Sequence, residues 1–168
     1  MLASSKPLID LTSHLTNPTV GTHSKLRYIC NITSNLIEGA NRVSLWRFND
    51  NKTKIICVVC FDSVKQEYTY GQEINKIDVE PYFNEILTRD VINAPNARIN
   101  EFTRCFTDTY FLPNNIFSLL DFILHKDFLP HGVICCESVD KEVEWSSTDI
   151  ENLRKIARAS SMYFNIQD

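Results

Sequence analysis

The apolar positions change their period several times along the chain. Between residues 22 and 38 they recur at helical spacing, with Leu26, Ile29, Cys30, Thr33, Leu36 and Ile37 on one mostly apolar stripe. Gly39 follows as a residue suited to the end of a helix. "RVSLWRF" (42–48) and "KIICVVCF" (54–61) are rich in β-branched and aromatic residues and read as strands, joined into a hairpin by Asn49-Asp50-Asn51-Lys52. "QEYTYG" (66–71) predicts a shorter third strand. Asp78 is expected to cap a short helix with Val79, Phe83, Ile86 and Leu87 facing inward and Pro81 in the first turn. "DVINA" (90–94) reads as a short strand, and Asn100 as the cap of a helix carrying Phe102, Cys105, Phe106 and Tyr110 and stopped at Pro113. "IFSLLDFIL" (116–124) and "HGVICCESV" (131–139) are apolar on both parities, so both their faces must be covered. Ser146 and Asp149 have the spacing of a capping box. Ile150, Leu153, Ala157, Ser160 and Phe164 then predict a helix running to the end of the chain.

This order predicts an α+β fold: a central antiparallel sheet of about six strands between the terminal helices and a middle helix/loop layer. Residues 1–21 are expected to form an arm or short helix and residues 22–168 the domain. A chain of 168 residues is long enough for one substantial core. With a net charge of −4 and no Lys/Arg run, it carries no electrostatic footprint for nucleic acid. No apolar run is long enough for a membrane segment, and "MLASSKPLID" does not read as a signal peptide. A cytoplasmic location is therefore expected, with the six cysteines as reduced thiols.

Those cysteines suggest metal or redox chemistry, which strand geometry opposes. In Cys57-Val58-Val59-Cys60 regular alternation sends the two thiols to opposite faces, about 10 Å apart at ~3.3 Å per residue, outside bridging range. No second Cys or His pair with zinc spacing exists, so no metal site is expected. Cys135 and Cys136 are likewise split, one thiol facing the terminal helices and the other the middle layer.

Two carboxylates on sheet strands are more informative. Asp121 interrupts one apolar run and Glu137 ends the other; a hairpin turning over residues 125–131 sets them nearly opposite. Close buried carboxylates share a proton or hold a cationic or donor-rich group; alternatively each caps backbone amides or pairs with an arginine. The middle segment adds Tyr82, Phe83, Phe102, Phe106 and Tyr110. They are core residues, or they line a small-molecule pocket against the sheet in which Tyr82 or Tyr110 offers a hydroxyl. The stripe from Ile150 to Phe164 packs on the sheet alone or bundles with a second chain into a homodimer.

Four strings in order and spacing resemble a GAF domain: "GANRVSLWRFN" (39–49), "YGQEINKIDVEPYFNEIL" with "VINAPNAR" behind it, "DTYFLPNNIFSLLDFIL", and "GVICCESVDKEVEWSSTDIENLRKIA". The resemblance covers roughly residues 22–165 and is similar in flavour to the input modules of bacterial histidine kinases and diguanylate cyclases. It implies a sensory or regulatory role, no catalysis by the domain itself, and frequent dimerisation through the terminal helices. Some members of the family bind cyclic nucleotides, haem or bilins. Here Cys105 is followed by Phe106 instead of histidine, which opposes covalent bilin, and His14, His23, His125 and His131 lie outside the middle segment, which opposes haem. The cyclic-nucleotide signature is absent. The alternatives are a small enzyme with cysteine chemistry, like the free methionine sulfoxide reductases, and a ligand-free dimerisation scaffold.

Overall fold

The structure, a computed structural model of the chain, describes residues 5–163. Seven antiparallel strands form one sheet: β1 (Arg42–Phe48), β2 (Lys54–Asp62), β3 (Glu67–Thr69), β4 (Glu73–Asn75), β5 (Val91–Ala94), β6 (Ile116–Lys126) and β7 (Leu129–Val139). Their order is β3-β2-β1-β7-β6-β5, with β4 beside the other half of β2. Helices α1 (Ser5–Thr16), α2 (Thr22–Leu36) and α4 (Ser147–Ser161) cover one face. The other carries α3 (Glu80–Arg89), a 3-10 turn (Arg104–Phe106) and a π-helical turn (Thr107–Phe111). The fold is α+β with a two-sided sheet, as the double-parity strands require. Leu120, Phe122, Leu124, Ile134 and Cys136 point to the terminal helices, whereas Leu119, Ile123, Val133 and Cys135 point to the middle layer.

The first helix is part of this core. Leu11 and Leu15 are buried with Ile29 of α2 and Leu153 and Ile156 of α4. On α4, Leu153, Ala157 and Ser160 of the expected stripe are buried within the protomer, while Phe164 lies outside the described residues. Its capping box is formed: Asp149 N donates to Ser146 Oγ at 3.0 Å, and Ser146 N to Asp149 Oδ2 at 2.9 Å. Loss of an N-cap side chain costs about 1 kcal/mol, and glycine there only a few tenths. Ser146→Ala is thus expected to lower the unfolding free energy by about 1 kcal/mol and Ser146→Gly by less. Equal losses for both in denaturant titrations would deny the cap this role.

Four local expectations are corrected. Asp78 does not cap α3; it ends a one-turn 3-10 helix (Lys76–Asp78), and Val79 precedes α3 without a side-chain cap. The segment after Asn100 is not one α-helix, because its polar side chains bond the backbone locally. Asn100 Oδ1 accepts from Phe102 N at 2.9 Å, Thr103 Oγ1 donates to Ala97 O at 2.6 Å, and Thr107 Oγ1 to Arg98 O at 3.0 Å. Such bonds compete with a regular helix. Cys57 and Cys60 do not diverge. The register between β1 and β2 shifts from Leu45↔Val59 to Trp46↔Cys57, so Val58 is an extra residue and both thiols return to the middle-layer face. The β6–β7 connection is tighter than residues 125–131. Lys126 already pairs with Leu129, and Asp127 and Phe128 make the turn at φ 51° and 65°.

Candidate functional site

The tighter turn changes how the carboxylates meet. Asp121 stands opposite Cys135, and Glu137 opposite Leu119. The two acids are therefore diagonal neighbours on one face, with backbones about 7–8 Å apart, not the directly opposed pair that a wide loop predicts. Both are buried, at 1% and 0% exposure.

Each is held by a group from a different element. α3 carries Tyr82 inward, and its hydroxyl donates to Asp121 Oδ2 at 2.5 Å. The π-helical turn carries Tyr110, whose hydroxyl donates to Glu137 Oε1 at 3.2 Å. From β1, Arg42 stands opposite Glu137 in register and sets Nε 3.3 Å from the same Oε1. Its Nη1 donates to Asn114 Oδ1 at 2.9 Å, and its guanidinium lies 5.6 Å from the Tyr110 ring centroid. The two hydroxyls end on Oδ2 and Oε1, while Arg42 Nε makes an ion pair with Oε1 but no hydrogen bond. The buried oxygens Asp121 Oδ1 and Glu137 Oε2 accept no hydrogen bond among the described residues.

Tyr82, Tyr110, Asp121, Cys135 and Glu137, with Trp46 and Phe106, surround a cavity of about 20 Å³. That is room for about one water molecule. Outside it runs a groove of about 480 Å³ bordered by Glu73, Asp78 and Cys105. Ile74, Phe106 and Tyr110 border both spaces and form the wall between them. Phe106 meets the Tyr82 ring edge-on at 5.0 Å.

Burial sets the electrostatics. It raises the Asp121 carboxyl to about 7, against the opposing pull of hydrogen bonds from Cys135 and Tyr82. It raises Glu137 to about 7 as well, against Arg42 and Tyr110. Both carboxyls are thus poised between their charged and neutral forms near neutral pH. All six thiols are raised above the ordinary range, burial being the largest cause at each. Arg42 beside Cys57 and Cys60 and Arg104 beside Cys105 pull the other way, but burial outweighs them and keeps the thiol form. Among the described residues no cluster of three or more His, Cys, Asp or Glu is arranged to hold a metal ion.

Of the residues expected to line a pocket, the structure brings together Tyr82, Phe106, Tyr110, Asp121 and Glu137. Phe83 is fully buried core, packed edge-on against Phe48, and does not border the cavity. Phe102 lies half-buried in the turn after Asn100 and borders neither space. Cys135 is the thiol on the middle-layer side, and Cys136 faces the terminal helices. Arg42 and Asn114 belong to the site without having been singled out by sequence. Strand parity held the signal for Arg42: two and four residues before Ser44 and Trp46 respectively, it shares their face, and Trp46 Nε1 donates to Ser44 Oγ there.

No protein-family profile matches the chain, and no curated protein matches it. Solved structures do. A GAF domain from an Acinetobacter phosphoenolpyruvate-protein phosphotransferase superposes with a TM-score of 0.75 at 12% identity, over 97% of this chain and 93% of that one. The chromophore-binding domain of a Stigmatella aurantiaca bacteriophytochrome gives 0.73 at 11% identity, over 96% of this chain and 59% of that one. The free methionine-R-sulfoxide reductase of Neisseria meningitidis, solved in complex with its substrate, gives 0.70 at 11% identity, over 96% and 87%. The chain has the GAF fold. Sensory domains and a reductase share that fold, so function rests on the site.

Proposed function

We propose that the chain is a non-enzymatic sensory module of a bacterial, cytoplasmic signalling protein, in which a small molecule entering the middle-layer pocket biases the terminal helices. The observation that carries this reading is the pair of buried carboxylates, each with one oxygen left without a donor, lining a small cavity that shares Ile74, Phe106 and Tyr110 with a much larger groove. Uncompensated buried oxygens are costly, and their persistence fits a site completed by a ligand. β6 supplies the link. It bears Asp121 on one face and packs Leu120, Phe122 and Leu124 toward the terminal helices on the other. Trp145 Nε1, just before α4, donates to Leu119 O at 3.1 Å, and His125 N donates to Ser161 Oγ at 3.2 Å.

The raised thiols favour this reading over a cysteine-based reductase. Cys105, the thiol bordering the outer groove, donates to the Phe102 carbonyl at 3.6 Å and is raised by burial. A homodimer through the terminal helices belongs to the same proposal. It would use their outer faces, where Ile9 is exposed, since the inner stripe of α4 is spent on the protomer's own core. Native mass spectrometry of the chain purified from cells, combined with hydrogen exchange of α4, tests the proposal. A bound small molecule is expected, together with altered exchange of α4 when it is removed. Removal of the molecule with no change in α4, or protein carrying none, sinks the sensory reading.

A further inference from the structure

Resting on that pocket reading, we infer that the ligand presents a planar, cationic nitrogen group of the amidinium or guanidinium class. The two tyrosine hydroxyls at the cavity are already committed. The Tyr82 hydroxyl goes to Asp121 Oδ2 and the Tyr110 hydroxyl to Glu137 Oε1, beside which Arg42 Nε stands at 3.3 Å as an ion pair without a hydrogen bond. Among the residues lining the cavity, Asp121 Oδ1 and Glu137 Oε2 remain as acceptors without a donor; Arg42 Nε also lacks a hydrogen bond but belongs to a residue outside that lining. An anion would meet like charge, and a ligand offering only acceptors would leave both oxygens unpaired. A neutral donor would satisfy the geometry but leave two carboxylates with one cation, Arg42, between them. A cationic group with N–H donors on two edges satisfies both needs at once, because planar forks match carboxylates geometrically and charge-assisted bonds are the stronger ones.

The walls agree. Trp46, Tyr82, Phe106 and Tyr110 border the cavity with aromatic surface, which attracts a cation placed over a ring face. The site already contains one instance of the motif, the Arg42 guanidinium held by Glu137 beside the Tyr110 ring. The outer groove carries Glu73 and Asp78 at its border, which favours the approach of a cation. The cavity itself holds about one water, so the head group enters only when Ile74, Phe106 and Tyr110 move, leaving the rest of the ligand in the groove. Those side chains sit on a three-residue strand, a 3-10 turn and a π-helical turn, elements of low intrinsic stability.

Acetamidinium, acetamide and acetate are near-isosteric and differ in charge, which makes them the probes. Titrated into the full chain and followed by amide NMR and calorimetry, acetamidinium is expected to perturb residues around Asp121 and Glu137, while acetamide and acetate do not. Asp121→Asn and Glu137→Gln are each expected to weaken it about tenfold or more, equivalent to about 1.4 kcal/mol. Wild-type affinity is expected to fall as the pH drops from 8 to 6, because protonation of the carboxyls competes with the cation; this readout needs no variant. Acetamide or acetate binding as tightly as acetamidinium overturns the ligand class while leaving a small-molecule pocket in place. Failure of acetamidinium to bind, or binding indifferent to pH and to both substitutions, overturns the inference. Native mass spectrometry then decides the sensory reading separately.

Discussion

Replacing Arg42 with methionine is expected to lower the unfolding free energy at pH 8 by about 3 kcal/mol, the largest single-residue effect in the site. Breaking a buried ion pair by removing one partner typically costs about 3–5 kcal/mol, because the other charge is left without compensation. Glu137 is 0% exposed and would keep only the Tyr110 hydroxyl. The lower end of the range applies because Glu137, already raised to about 7, can escape by taking up a proton. That escape supplies a signature. At pH 5 Glu137 is protonated in both proteins, and the loss is expected to shrink to about 1 kcal/mol, the scale of the remaining bond to Asn114 Oδ1. Adding Glu137→Gln to Arg42→Met is expected to recover most of the pH 8 loss. Urea titrations of the three proteins at both pH values make the measurement. A loss of the same size at pH 5 and pH 8 would show that Arg42 acts by packing over Tyr110, with the ion pair incidental.

What the sequence made legible follows from periodicity. Two strands apolar on both parities required two covering layers, and adjacent cysteines in one of them had to part, as Cys135 and Cys136 do. Ser146 and Asp149 announced α4 because a capping box is local chemistry. The misreadings share one cause, the loss of pattern where both parities are apolar. In "IICVVCF" nothing marks Val58 as the extra residue, so the bulge that returns Cys60 to the face of Cys57 could not be located. The β6–β7 turn was hidden by Pro130, which reads as loop before the strand expected from His131. Both lie in β7, past a register shift at Leu124/His125 that accommodates Pro130 opposite His125. Displaced by two residues, the acids kept their shared face and lost their direct opposition, so the candidate site survived the error in altered geometry. Strand parity gave the face of Arg42, but its partnership with Glu137 was missed because pairing across β1 and β7 is long-range.

The second large effect is an inverted pH profile: the chain is expected to gain stability as the pH falls from about 7 toward 5. Asp121 and Glu137 are raised to about 7 in the folded protein from ordinary values of 3.8 and 4.5. Between those limits the folded state binds more protons than the unfolded one, so stability rises as pH falls. The stabilisation from their protonated forms is fully present below the unfolded values and is lost as pH rises through about 7. A tenfold difference in proton affinity between the folded and unfolded states is worth about 1.4 kcal/mol, so the pair contributes several kcal/mol across the window. His131 opposes this in part near pH 6, since burial holds it below the usual histidine value. The groups packed around the acids from other elements, Tyr82, Tyr110 and the thiols of Cys57, Cys60 and Cys135, are raised and titrate well above the window. Denaturant unfolding from pH 5 to pH 8 is expected to show the gain in the wild type, a shallower profile for Asp121→Asn or Glu137→Gln, and the least slope in the double variant. A wild type equally stable at both ends, or a double variant with the wild-type slope, would remove the two carboxyls as its cause. The same free energy connects stability to binding: the cost of holding both acids charged above pH 7 is what a cation donating to Asp121 Oδ1 and Glu137 Oε2 would relieve.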